Sequence, residues 1–403
     1  MHPDGAGHTT RILLVDCDAF YVQVARLEDP QGAGKAKLLV VGGSPTGRGV
    51  VTSASYAARE YGVRSAMPTA KALRLCPNAT VVDVPRGACS RRSKEIGGTL
   101  RDLSPVVQAA SIDEFYLDLT GTDRLMGETL EESATRIRST VLKKTNISVS
   151  IGGSTRKMVA KLASSVAKPG GVHIVAPGQE AAFMRRLDLA DIPGVGPALV
   201  DSLKRRGLVR IESALEVELE WLQKWFGEHR ALWLHRRMRG LDSDRVDPRE
   251  PRKSISSERT FFSDLDTSEE LEDVMMKLSV SVGRTMRRSG LRARTITVKL
   301  RDGDFTTRSR GRTVPEAVET DAAVFAVARE LLGELRSRRR TPSRLLGVGL
   351  TNFVAGIDPA QLGLFEDGDR IEGERERALG KAVDGLRDRF GDGAVVPGRI
   401  MST

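Results

Sequence analysis

Cysteine is scarce in this chain: Cys17, Cys76 and Cys89 are the only three, and no CxxC spacing occurs. That count excludes a disulfide framework and points to a reducing compartment. Histidine is as thin, five scattered residues in 403, which argues against a zinc site. No apolar run approaches membrane-spanning length, and the opening MHPDGAGHTT lacks the apolar core of a signal peptide. A soluble cytoplasmic protein with no membrane partner is the expectation. The glycine-rich GGSPTGRG lacks the Lys-Ser/Thr pair of a P-loop, and no internal repeat is evident.

What is abundant is positive charge. The formal net charge is +10 and the isoelectric point about 9.7, which leans toward a polyanionic partner such as nucleic acid. The length fits two to four domains.

The pattern along the chain predicts an α+β, multidomain protein. RILLVD (11–16) has strand length and ends on an acid, and DAFYVQVARLED follows as a helix with Asp18 as its N-cap. KLLVVGG reads as a strand, SASYAAREY (53–61) and PTAKALRLCP as helices. VVQAAS and FYLDLT form two strands around SIDEF. A helix over 130–144, the strand SVSIGG and the helix STRKMVAKLASSVA lead to the turn Lys168-Pro169-Gly170-Gly171. This order predicts an antiparallel sheet with helices. From about 175 the pattern turns helical, and IPGVG marks a helix-hairpin-helix turn. The polar, two-proline stretch 242–253 reads as a linker. Beyond it a β-α-β-β-α-β order predicts a split βαβ domain over 254–356, then a tail.

Asp113 and Glu114 stand side by side in AASIDEFYLDL, a run otherwise suited to a buried strand. Unpaired carboxylates are costly to bury, and strand neighbours point to opposite faces unless the pair sits at a hairpin tip. Asp16, at the end of its own strand, is a third acid able to join them. A pair of Mg²⁺ ions about 3.5–4 Å apart would supply the counter-charge and suit phosphoryl transfer. Ordinary turn residues on a solvated hairpin fit the local sequence as well. Cys17 reads as a small apolar residue whose backbone carbonyl is within reach of a metal.

Ser53, Tyr56 and Arg59 recur every third residue, as neighbours on one helix face do, and suit phosphate oxygens. Lys168 precedes a turn that aims it into a cleft. A core aromatic, a surface ion pair and a helix C-cap are the plain alternatives for Tyr56, Arg59 and Lys168.

Taken in order, VDCDAFYVQVA, GGSPTGRGVVTSASYAAREYGVRSAMP, SIDEFYLDL, SIGGSTRKMVAKLASSVAKPGG and IPGVG resemble the Y-family DNA polymerases, specifically their DinB branch, the bacterial polymerase IV group. The likeness runs from about residue 11 to 356. It implies a right-hand polymerase: palm (11–21 and 81–175), fingers (22–80), helix-hairpin-helix thumb (176–241) and βαββαβ little finger (254–356). It also implies template-directed, low-fidelity translesion synthesis without proofreading. Asp16, Asp113 and Glu114 match the metal-binding carboxylates, with the Cys17 carbonyl as an added ligand. Tyr21 matches the steric gate against ribose, and Phe20 and Tyr21 would offer backbone amides to the triphosphate. Ser53, Tyr56, Arg59 and Lys168 match its phosphate contacts. Gly194 and Gly196 would grip a DNA phosphate, and Arg292, Arg294, Arg308 and Arg310 would lie along the duplex. In the tail (357–403), Gln361, Leu362, Leu364 and Phe365 resemble a sliding-clamp-binding peptide. The expected partners are primer–template DNA, a dNTP and the clamp, for a monomer associated with the nucleoid when bound to DNA.

Departures from the family pattern are Ser53 for Thr, Ser55 for Asn and Phe115 for Ala; the last adds bulk beside Glu114 and predicts a change in pocket width. A non-catalytic DNA- and clamp-binding scaffold is the main rival, but such a homologue would lose the carboxylates kept here. A helix-hairpin-helix glycosylase is the other, and the α+β domain does not fit it.

Overall fold

A computed structural model describes residues 9–355 and 371–401. The chain divides into two compact units between Glu250 and Pro251.

The first unit is built around β1 (Ile12–Cys17), buried along its whole length and followed by α1 (Phe20–Glu28). A small lobe comes next. It contains β2 (Leu39–Gly42), β3 (Val51–Ala54), α2 (Tyr56–Glu60), α3 (Thr69–Leu75) and β4 (Thr80–Val82), with strand order β3-β2-β4. Then follow α4 (Arg86–Arg101), the hairpin β5 (Val106–Ala109) and β6 (Glu114–Asp118), α5 (Asp123–Met126) and α6 (Leu130–Thr145). β7 (Val149–Ser154), α7 (Lys157–Ala167) and β8 (Val172–Ile174) complete a sheet of order β5-β6-β1-β7-β8, parallel only between β7 and β8. Five short helices close the unit: α8 (Glu180–Arg185), α9 (Pro197–Lys204), α10 (Ile211–Leu215), α11 (Leu219–Phe226) and α12 (Glu228–Met238).

The period of two along β1 sorts its side chains. Leu13, Val15 and Cys17 pack against Ile96 and Leu100 of α4 and Ile137 and Val141 of α6. Ile12 and Leu14 face the other way, toward Tyr116, Ala160 of α7 and Val246. Asp16 shares that second parity, so it opens toward α7. Gly152 lets α7 lie close: a Cβ there would stand 2.1 Å from both Ala160 O and Ser164 N.

The stretch 242–253 is not a free linker along its length, which corrects the expectation. Asp242 accepts the Met158 amide at 3.0 Å, capping α7 from a distance, and Lys157 N donates to Ser243 O at 3.0 Å. Arg156 pairs with Asp244 at 2.7 Å, and Val246 is buried against Ile12 and Leu14. Acids that read as solvated serve the exposed N-terminus of a neighbouring helix.

In the second unit β9 (Ser254–Leu265), α13 (Ser268–Arg288), β10 (Leu291–Asp302), β11 (Thr307–Val318), α14 (Asp321–Arg338) and β12 (Ser343–Ala355) follow the expected βαββαβ order. The antiparallel sheet runs β11-β10-β12-β9, with both helices packed on one face. Residues 371–401 are not a detached tail. α15 (Glu374–Phe390) docks on α13 through Arg287–Asp384 (2.7 Å) and Arg284–Asp388 (2.7 Å), and a short α16 (Gly398–Met401) follows. Glu372 accepts amides of Glu319 (3.0 Å) and Thr320 (2.9 Å) at the start of α14. Gln361, Leu362, Leu364 and Phe365 lie outside the described residues.

Gly152→Ala should destabilise the protein by about 1–3 kcal/mol, because α7 must retreat from the sheet. Denaturant unfolding measures this, and an unchanged midpoint would contradict the packing described.

Candidate active site

The hairpin of β5 and β6 delivers the acids to β1. Asp16 stands directly opposite Glu114 in the β1–β6 register, and Cys17 N donates to Asp113 O at 3.0 Å. Asp113 precedes the first residue of β6, so it escapes the alternation that would turn it from Glu114. The Ser111 hydroxyl folds this tip: it donates to Asp113 Oδ1 (2.6 Å) and accepts the amides of Asp113 (3.2 Å) and Glu114 (3.1 Å).

Two lysines balance the acids. Lys168 Nζ lies 2.7 Å from Asp16 Oδ1, and Lys161 Nζ bridges both carboxylate oxygens of Glu114. Burial pushes the Asp16 carboxyl up to about 6, with Lys168 pulling it down and Glu114 and Asp113 adding to the rise. Lys161 was not singled out in the sequence. Its signal is the spacing of Lys157 and Lys161, one helical turn apart on the α7 face that covers β1. Among the described residues no group of three or more His, Cys, Asp or Glu side chains is drawn together tightly enough to hold an ion. The lysines and Ser111 hold the three carboxylates to separate partners.

Cys17 is buried in the core, where desolvation pushes its thiol well up, so it is a packing residue as expected. Phe20 is buried, and its ring meets that of Tyr21 edge to face at 5.6 Å. Tyr21 stays partly exposed, its phenol pushed up by burial and by the nearby charge of Asp113. Asp18 does not cap α1, contrary to expectation. Ala19 is the N-cap, in the left-handed region at φ 41°, and the Asp18 side chain turns into the protein instead.

Ser53 lies in β3 opposite Val41, not on a helix, so its helical spacing with Tyr56 does not hold. The hydroxyl of Ser55 accepts the Ala58 amide and starts α2 only at Tyr56. Tyr56 and Arg59 do come together: the guanidinium stacks over the ring at 4.9 Å and Nε donates to Ala54 O at 3.0 Å. Lys168 occupies the C-cap position of α7, yet its ammonium reaches Asp16. Phe115 points away from Glu114 into the core beside Gly97 of α4, so it adds no bulk to the pocket.

Gly194 adopts φ +96° against Trp233, and Gly196 is the N-cap of α9, as a helix-hairpin-helix turn requires. In the second unit the arginine expectation needs correction. Arg308 and Arg310 pair with Leu300 and Val298, core positions of β10, and so face the helices. Arg308 binds Asp302 at 3.0 Å and Arg310 binds Glu334 of α14. Arg292 donates to Ala317 O at 2.9 Å and is little exposed. Only Arg294 of the four is exposed.

The chain matches the impB/mucB/samB family over residues 15–165 and that family's C-terminal domain over 252–364. Residues 190–242 match the DNA polymerase-iota thumb domain. It is 38% identical to a DNA polymerase IV of Caulobacter vibrioides over 395 residues, 98% of this chain and 94% of that protein. The chain belongs to the Y family of DNA polymerases. A DNA polymerase IV of Desulfatibacillum aliphaticivorans is 35% identical, with 97% of each chain covered. Two solved structures are similar over 86% of this chain and 100% of theirs. A Y-family chimera of Dbh and Dpo4 has a TM-score of 0.76 at 28% identity, and DinB from Sulfolobus solfataricus 0.59 at 28%. As a Y-family polymerase the protein is a DNA-directed DNA polymerase of the low-fidelity translesion class, and a non-catalytic scaffold is not favoured. Y-family polymerases use divalent metal ions. The donor chemistry suits one: Asp16 and Glu114 are opposed in the strand register and Asp113 adjoins them, three oxygen donors that here engage Lys168, Lys161 and Ser111.

In chelator, Asp16→Asn should raise the stability of the protein at neutral pH. A carboxyl whose folded value lies near 6 rather than 3.8 costs stability as pH rises through that window, on the order of 2–3 kcal/mol once fully ionised. The gain should fade below about pH 4, where the carboxyl is protonated in both states. Melting curves of both proteins across pH 4–8 give the test; no gain above pH 6 would contradict the assignment.

Proposed function

We propose that this chain adds deoxynucleotides to a primer 3′-hydroxyl at the Asp16–Glu114 end of β1 and β6. The observation that carries this site is the register that sets Asp16 against Glu114, with Asp113 at the adjoining tip. When bound by Asp16, Asp113, Glu114 and the Cys17 carbonyl, two Mg²⁺ ions would supply the positive charge that activates the hydroxyl and steadies the leaving pyrophosphate. The protein's own part is positioning and electrostatics. Tyr21, beside Asp113, floors the sugar pocket and excludes a 2′-hydroxyl, while the backbone amides of Phe20 and Tyr21 meet the triphosphate. Tyr56, Arg59 and Lys168 bind its oxygens, and Ser53, close by in β3, adds a hydroxyl. Lys161 holds Glu114 in place through both of its carboxylate oxygens.

Relatives solved as an insertion ternary complex and a post-insertion binary complex support primer–template DNA and an incoming nucleotide as the partners. The Gly194–Gly196 turn takes a backbone phosphate without reading sequence, and Arg294 supplies charge in the second unit. Gln361, Leu362, Leu364 and Phe365 bind the sliding clamp on the strength of their sequence, and tethering raises the local concentration of DNA. The protein acts as a monomer in the cytoplasm, at the nucleoid when on DNA.

Asp113→Ala should abolish primer extension and leave primer–template binding within about twofold of the parent; retained synthesis would refute the site. Adding purified clamp to the parent should lengthen its products, and equal lengths would argue against the peptide. Tyr21→Ala should incorporate ribonucleotides at least about tenfold more readily, and unchanged sugar selection would remove the gate role.

A further inference from the structure

We infer that Asp18 is a positioning residue that couples the fingers to the Lys168 turn, setting Tyr56 and Lys168 at one spacing for the triphosphate. The proposal rests on the site just described. Asp18 is 3% exposed, though it directly precedes the left-handed Ala19 and belongs to no strand or helix. A carboxylate that deep must be surrounded by donors, and it is. Oδ2 accepts the Ser148 hydroxyl at 2.7 Å and the Gly170 amide at 2.9 Å. Oδ1 accepts the Ser150 hydroxyl at 2.7 Å and the Tyr56 phenol at 3.3 Å.

These donors come from three places. Ser148 precedes β7 and Ser150 is its second residue, Gly170 lies two residues beyond Lys168, and Tyr56 opens α2 of the small lobe. The Gly170 amide also reaches the Ser150 hydroxyl at 2.9 Å, so the turn is doubly held. The backbone is pinned as well, by Asp18 N donating to Ser148 O at 3.0 Å. One carboxylate thereby fixes the root of Lys168, whose ammonium meets Asp16, and the phenol of Tyr56.

The four bonds are unequal, and the inequality carries the functional point. Three donors within 2.9 Å belong to the sheet and its turn, and they satisfy the carboxylate without the phenol. The Tyr56 bond is the longest. Tyrosine has a single proton to donate. Its hydroxyl can therefore pass from Asp18 to a phosphate oxygen while Asp18 stays in place. Asp18 parks this donor and so ties the small lobe to the Lys168 turn through one weak bond. Asparagine in its place would turn an amide NH₂ toward donors, and the Gly170 amide has no means of becoming an acceptor.

The test is steady-state and binding kinetics on the full chain. Asp18→Asn should raise KM for the correct dNTP about tenfold or more, with kcat lowered much less and the primer–template Kd within about twofold. Ser148→Ala/Ser150→Ala, which leaves the carboxylate intact but removes two of its donors, should raise KM in the same direction and serves if Asp18→Asn does not fold. Paired with Tyr56→Phe, the effects should be less than additive, since both changes break one bond. Three results would overturn the inference: an unchanged KM in both variants, equal losses in kcat, DNA affinity and melting temperature, or strict additivity with Tyr56→Phe. Because the parent's primer extension is measured alongside, failure of the polymerase reading itself would show as no synthesis by the parent.

Discussion

Negative charge gathered at one end of β1 and β6 is the constraint around which the first unit is arranged. Two carboxylates on directly opposed strand residues, whose Cβ atoms lie about 5 Å apart, repel one another unless counter-charges answer them. Lys161 and Lys168 answer that repulsion, and both hang from α7, one within it and one at its end. The placement of the counter-charges is therefore the placement of a helix. α7 is set by Gly152, which lets it lie against β7, and by residues 242–247, which cap its first turn and bury Val246 beneath it. A stretch remote in sequence helps to fix the electrostatics at that end of the sheet. The acids therefore sit in place with their charge already answered from within the chain.

Much of this was legible in the residues. The acids, the strand ends that carry them and the βαββαβ order all follow from period, punctuation and the oddity of paired acids in an apolar run. The failures have physical causes. Asp18 looked like a helix cap because caps are local, whereas its donors come from positions some 38 to 152 residues away in sequence. Ser53 matched a helical spacing by accident, since strand pairing with β2 outcompeted a helix that Ser55 begins later. α4 went unread because PRGACSRRSKEIGGTLR carries three glycines and a broken apolar stripe. One of those glycines, Gly97, makes room for Phe115, a fit between distant residues that no local pattern encodes.

The second unit shows why a basic composition is a poor map of a binding surface. Arg308, Arg310 and Arg312 alternate with small residues and look like a row of phosphate contacts. Their parity, however, is that of Val314, which is core, and so α14 answers Arg310 and Arg312 with Glu330 and Glu334, while Arg308 turns to Asp302. That signal was in the sequence, two residues downstream of the row. α13 spends Arg284, Arg287 and Arg288 in the same way, on acids of α15. Much of the cationic excess is thus used to hold helices in place. The opposite face of the sheet carries Thr295, Thr297, Ser309, Gly311, Thr313, Gly347 and Gly349 in register, and the cations among them are spent within the sheet too, Lys299 on Glu258 and Arg301 on the Thr307 hydroxyl.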